Sequence, residues 1–123
     1  KIAEALSTHR VGMPPLNVCL QVNVSGESSK AGVVPGDALA LATKIALLPG
    51  LAFRGLMSII ENTPDETTQR TQFRMMHQLF ESLRQSNFAV DTLSMGMSQD
   101  YRVAIEEGAN MVRVGSAIFG ARS

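Results

Sequence analysis

The sequence predicts an α/β protein built on a parallel sheet, and three observations carry that reading. Short apolar runs rich in β-branched residues alternate four times with segments of helical periodicity. Pro, Gly, Asn and Ser punctuate the junctions between them. The chain has 123 residues, 45% hydrophobic and 18% charged, which suits one globular domain or a piece of a larger one.

The first strand is expected over 16–24 (LNVCLQVNV), after the breaker pair Pro14-Pro15, with Asn17, Gln21 and Asn23 as polar interruptions. The run SGESS that follows reads as loop. A helix is expected over 37–48, where Leu41, Ile45 and Leu48 form one apolar face, Asp37 caps the start and Pro49-Gly50 stops it. The second strand is 53–60 (FRGLMSII). The next helix, 65–85, has the clearest start signal: Thr63 at N-cap, Pro64 at N1 and Glu66 at N3 make a capping box. Phe73, Met76, Phe80 and Leu83 recur along it at spacings of three and four.

The third strand is 92–97 (TLSMGM). Ser98 can cap a helix over 99–107, and Gly108 fits the left-handed position past its end. The fourth strand is 111–114 (MVRV), after which Gly115-Ser116-Ala117 can open a last helical turn. Strands separated by helices imply βαβ units. Two architectures fit: a doubly wound open sheet, or a (β/α)8 barrel, which needs about 250 residues, twice this chain. No internal repeat, low-complexity segment or dividing linker is visible.

Composition narrows the function. Eleven basic residues balance eleven acidic ones. The basic excess typical of proteins that bind nucleic acid or anionic membranes is missing. The one cysteine, Cys19, cannot form an internal disulfide, and no Cys/His cluster has zinc spacing. No apolar run approaches the roughly 20 residues that span a bilayer. No leader opens the chain, so a cytoplasmic address is expected, and a start at Lys1 hints at a fragment.

In parallel α/β folds, ligands bind beyond the carboxyl ends of the strands. Two such junctions stand out. Ser94-Met95-Gly96-Met97-Ser98 holds a glycine and two hydroxyls, and Arg113-Val114-Gly115-Ser116 places an arginine before a glycine and a hydroxyl. Glycine lets backbone approach an anion closely, and exposed N–H groups with a hydroxyl suit phosphate. The bland reading of each junction is a tight turn. Arg113 reads equally well as a structural salt bridge or as a cation aimed at a ligand.

Other residues read as structure. His77 lies on a helix face among Met75, Met76 and Leu79, and His9 sits in a polar stretch. Neither has a carboxylate partner that would suggest a triad. Cys19 is expected to be a buried small hydrophobe. Met75 and Met76 are expected to fill core. Asp65-Glu66 and Glu106-Glu107 are first-turn or helix-face acids, with nothing to pair them as acid and base.

The runs QVNVSGESSKAG (21–32), RGLMSI (54–59), LSMGMSQDYRVAIEEGA (93–109) and MVRVGSAIFGAR (111–122) closely resemble the pyridoxal 5′-phosphate homeostasis protein family, also called YggS/PROSC. The resemblance covers nearly the whole chain, in order. It implies a (β/α)8 TIM-type barrel related to the barrel domain of fold-type III alanine racemases. The family binds pyridoxal phosphate (PLP) and is regarded as a cofactor carrier, with no enzymatic turnover attached. The resemblance also implies site residues. Ser94, Gly115 and Ser116 match positions that hold the PLP phosphate, and the backbone of Met95, Gly96 and Met97 lines the pocket. Arg113 matches the arginine that faces the pyridine nitrogen. No metal and no catalytic residue are implied.

One departure matters most. The family's Schiff-base lysine lies in an early segment resembling V-S-K-T-K, which is absent here; Lys1, Lys30 and Lys44 do not match it. The chain is therefore identified as the C-terminal half of such a barrel, about four βα units, with residues 1–123 a partial PLP-binding domain. Unpaired sheet edges then predict that it associates with another copy or with the missing half. PLP-dependent apoenzymes are the implied recipients of the cofactor. The enzymatic alternative is an alanine-racemase-like amino-acid racemase, which needs a second acid/base such as a tyrosine; Tyr101 is the only tyrosine and nothing places it there. A third reading makes Lys30 and its loop a protein-docking surface on a phosphate-binding half barrel.

Overall fold

The computed structural model describes residues 2–24, 32–58, 60, 64–97 and 99–113. Four strands form one parallel sheet in the order β1-β2-β3-β4: β1 Leu16–Gln21, β2 Leu51–Ser58, β3 Thr92–Met97 and β4 Met111–Arg113. Helices α2 Ala38–Ala46, α3 Glu66–Gln85 and α4 Tyr101–Glu106 link successive strands, and α1 Ile2–His9 precedes β1. Each strand lies beside its neighbour in sequence, as in one sector of a barrel wall, and no closed barrel forms among the described residues.

The register explains where the core sits. Leu20, Leu56 and Leu93 stand opposite one another across three strands, and all are buried. They join one apolar cluster with Phe73, Met76, Phe80 and Leu83 of α3. These four helix residues recur at spacings of three and four, so one stripe of α3 covers the leucine row. Side chains alternate along a strand, so the next row, Gln21, Met57, Ser94 and Met111, points to the face away from α3. That face is the barrel interior.

Several elements differ from expectation. Residues 2–9 are helical where no element was expected; Ala3, Ala5, Glu4 and Leu6 favour helix, and Ser7 donates to the Pro49 carbonyl to tie the helix down. The first strand ends at Gln21 instead of running to residue 24. Val22 still donates to Met57 O (2.9 Å), while Gln21 and Asn23 bond Val33, which returns alongside β1 (Asn23 N to Val33 O 2.7 Å, Val33 N to Gln21 O 3.0 Å). Asp37 makes no side-chain cap. It ends a 3-10 turn, Pro35–Asp37, with helical backbone angles that carry its carboxylate away from the amides it would have to reach.

The N-cap of α3 is Asp65, whose carboxylate accepts from Thr67 N (3.2 Å) and Thr68 Oγ1 (2.7 Å). Glu66 therefore begins the helix instead of closing a capping box, and Thr63 lies outside the described residues. The third strand and the end of α3 fall where expected. Gly108 holds φ +108° past α4, with the His77 ring packed over it. Met75 is 39% exposed while Met76 is fully buried, because the two point to different sides of α3. Cys19 is exposed, not buried: it shares the row of Gly55 and Thr92, on the open face of an edge strand.

Candidate functional site

The two chemistry-bearing junctions lie side by side. β3 and β4 are parallel neighbours, Ser94 stands opposite Met111, and Met97 stands opposite Arg113. The hydroxyl of Ser94, the backbone of 95–97 and the residue Arg113 are thus gathered on adjacent strands, at or near their carboxyl ends. Ser94 is 6% exposed on the interior face, below the strand end. Gly115 and Ser116 lie outside the described residues, as do Ser98 and Val114. The set of residues expected to hold a phosphate is therefore described only in part.

Gly96 sits where the β3–β4 register shifts, at φ +107°. A Cβ there would stand 2.7 Å from Ala104 Cβ and 3.2 Å from Val112 Cγ1. Only glycine fits both the backbone angle and the space. The following turn is held by Asp100, whose Oδ1 accepts from Met97 N (2.7 Å) and whose own N–H donates to the Met97 carbonyl (3.1 Å). The Met97 N–H is therefore taken. The backbone around 95–97 presents fewer free donors than its sequence suggests.

The amino ends of the strands carry a polar cluster that sequence reasoning missed. A bulge between β1 and β2 accommodates Arg54, which pairs with Asp91 and donates to Asn17 Oδ1 (3.3 Å). Arg54 holds the Asp91 carboxyl below the usual carboxylate range, with help from the Thr92 hydroxyl. Asn110 clamps the foot of β3: its Oδ1 accepts from Leu93 N (2.8 Å), its Nδ2 donates to Asp91 O (2.7 Å) and its backbone N donates to Leu93 O (3.1 Å). Features at this end of a barrel serve stability, not chemistry. Partial burial pushes the Cys19 thiol up, Asp91 adds to the rise and Arg54 opposes it. The sequence signal available was Arg-Gly within a strand, where glycine marks a bulge.

The paired acids Glu106 and Glu107 are structural. Arg70 bonds Glu106 and Glu107 (both 2.8 Å), and Arg74 bonds Glu107 (3.1 Å), which zips α3 to α4. These arginines hold the Glu107 carboxyl below its ordinary range, Arg74 first and then Arg70. Among the described residues no group of three or more His, Cys, Asp or Glu could hold a metal. No helix among them is long and apolar enough to cross a membrane.

A family model described as "Alanine racemase, N-terminal domain" matches residues 1–123. The chain belongs to this family. Within it, the chain is 54% identical over 123 residues to a pyridoxal phosphate homeostasis protein of Pseudomonas aeruginosa, covering 99% of this chain and 52% of the relative. It is 52% identical to the protein of that name in Vibrio cholerae, with the same coverage. The chain thus spans about half the length of the curated relatives it matches. Among solved structures it is similar to PipY of Synechococcus elongatus without PLP, with a TM-score of 0.86, 32% identity and coverage of 97% of this chain and 57% of that one. PipY with PLP bound matches at a TM-score of 0.77 and 28% identity. The resemblance to the homeostasis proteins and the α/β barrel architecture both hold in these comparisons. Ser94 supplies a buried hydroxyl on β3 and Arg113 stands on the adjacent strand, residue types that suit an anionic ligand.

Proposed function

We propose that this chain is the phosphate-binding half of a PLP-holding barrel whose parent stores and delivers the cofactor without turning over a substrate. The observation that carries the reading is the pairing of Met97 with Arg113, which puts the SMGM segment and the arginine side by side at the carboxyl ends of adjacent strands. The names of the relatives and the PLP-bound PipY structure support it. Ser94, Gly115 and Ser116 would hold the phosphate, and the backbone of Met95, Gly96 and Met97 would line the pocket. Arg113 would face the ring nitrogen.

When bound, PLP supplies an aldehyde that condenses with amines and a ring that withdraws electrons. The chain's own residues bind and restrain it. A permanently charged guanidinium at the ring nitrogen disfavours protonation there. The ring is then a weaker electron sink than one beside an aspartate. That suits custody of the cofactor better than carbanion chemistry. The lysine that attaches PLP in the family has no counterpart at Lys1, Lys30 or Lys44, and a cytoplasmic address fits the role.

Among the described residues no further strand pairs with the outer strands β1 and β4. β1 offers Asn17 and Cys19 to a neighbour, since Val33 already occupies Gln21 O and Asn23 N. The chain is expected to pair there with a second copy or with the other half of its parent.

The test combines titration and mass. PLP fluorescence should show saturable binding that millimolar inorganic phosphate reverses. Intact mass after borohydride reduction at stoichiometric PLP should stay at 13.2 kDa. A stoichiometric pyridoxyl adduct, or no saturable binding, would overturn the proposal.

A further inference from the structure

We infer that Asp100 is a positioning residue of this site, acting through Met97; the inference rests on the PLP reading above. Three hydrogen bonds converge on Asp100. Its Oδ1 accepts from Met97 N (2.7 Å), its N–H donates to Met97 O (3.1 Å) and its carbonyl accepts from Ala104 N (3.1 Å). The side chain and backbone together lock the last residue of β3 to the first turn of α4. Met97 is also the residue that stands opposite Arg113, and it follows Gly96, whose α-carbon is wedged against Ala104. A shift of Met97 therefore moves two parts of the proposed site at once: the glycine turn and the strand that carries Arg113.

Electrostatics argues that this role is geometric. A carboxylate beside a phosphate site repels the ligand, so charge alone would make Asp100 a liability. A carboxylate at this point makes sense if the acceptor oxygen, not the charge, is what the site uses. Asparagine keeps that oxygen and drops the charge, whereas alanine drops both. The same substitutions separate positioning from simple helix capping, because a cap supports stability without setting ligand affinity.

The experiment titrates the wild-type chain, D100A and D100N with PLP, with inorganic phosphate as competitor, well below their melting temperatures. Amide exchange at Met97 is followed by NMR in all three. D100A should bind PLP about tenfold more weakly or worse, as expected for a displaced binding group. It should also lose protection at Met97. D100N should stay within about threefold of wild type and keep that protection. D100A with wild-type affinity overturns the inference, whatever its melting temperature. Tighter binding by both variants also overturns it, since the charge would then dominate. A wild-type chain that binds neither ligand fails the cofactor reading and takes this role for Asp100 with it. That failure shows in the wild-type titration and is not confused with the comparison of variants.

Discussion

Replacing Gly96 by alanine tests the geometry of the strand end directly. Two costs add. The backbone sits at φ +107°, a region that L side chains avoid at a cost of about 1–3 kcal/mol. The new methyl would also stand 2.7 Å from Ala104 Cβ and 3.2 Å from Val112 Cγ1. Forcing it in costs about 1–3 kcal/mol more, because the first contact lies between a helix and a strand that are both packed. The total is about 4 kcal/mol. Unfolding entropy is about 2.1 cal/mol/K per residue, or about 0.26 kcal/mol/K for 123 residues, so the melting temperature should fall by about 15 °C.

Two other glycines calibrate the measurement. Gly12 has φ +80° with nothing within 4 Å of a built Cβ, so Gly12→Ala isolates the backbone cost and should lower the melting temperature by about 4–8 °C. Gly36 has open space and no unusual angle, so Gly36→Ala should be neutral or raise it slightly. Thermal unfolding by far-UV circular dichroism at one protein concentration reads all three. A Gly96→Ala variant within about 2 °C of wild type would refute the reasoning. So would a Gly12→Ala loss equal to that of Gly96→Ala, since the packing cost would then be nil. Adding Ala104→Gly to Gly96→Ala should recover part of the packing cost but none of the backbone cost, less about 1 kcal/mol for glycine inside a helix.

Leu56→Ala removes the centre of the buried leucine row and should cost about 2–5 kcal/mol by urea denaturation. Asn110→Ala leaves the Leu93 N–H without its partner and should cost about 1–3 kcal/mol, with amide exchange rising at Leu93 first. The carboxyls of Asp91 and Glu107 lie below their ordinary range in the folded state. Their contribution is therefore complete above the unfolded values near pH 4 and is lost as pH falls through the folded ones. Asp91→Asn should flatten the acid limb of a stability–pH curve and leave the region from pH 5 to 7 unchanged in shape. Light scattering after size exclusion should give a mass above 13.2 kDa; a sharp monomer at high concentration would count against open, pairing edges.

Periodicity alone carried much of the fold. The stripe of Phe73, Met76, Phe80 and Leu83 has a helical spacing, and the 92–97 strand is bounded by polar residues and a glycine turn, so both stood out. Features that depend on partners did not. Cys19 looks buried from its neighbours in sequence, yet it faces away from the helices on an edge strand. Asp37 is expected to cap its helix and Asp65 is not; the 3-10 turn before Ala38 disables the first, while the extended backbone of Asp65 lets its carboxylate accept from Thr67 N. Of the proposed site, Ser94 and Arg113 were named because barrels bind ligands at strand ends. Their adjacency is a matter of register. Asp100 was missed because its carboxylate matters only through a backbone amide three residues back.

The same structure shows how the strands that carry the proposed site are held together within this chain. β1 is one outer strand of the described sheet, and it carries none of the proposed phosphate contacts. β3 and β4 are held from within. Asn110 fixes their relative register at the foot, α4 packs between them, and Asp100 and Gly96 close the top. None of those restraints comes from outside the chain. The geometry around Met97 and Arg113 therefore does not wait for barrel closure, whereas a covalent lysine on an early strand would. Non-covalent retention of a phosphate-bearing ligand without stoichiometric attachment is the behaviour the proposed site predicts for this chain.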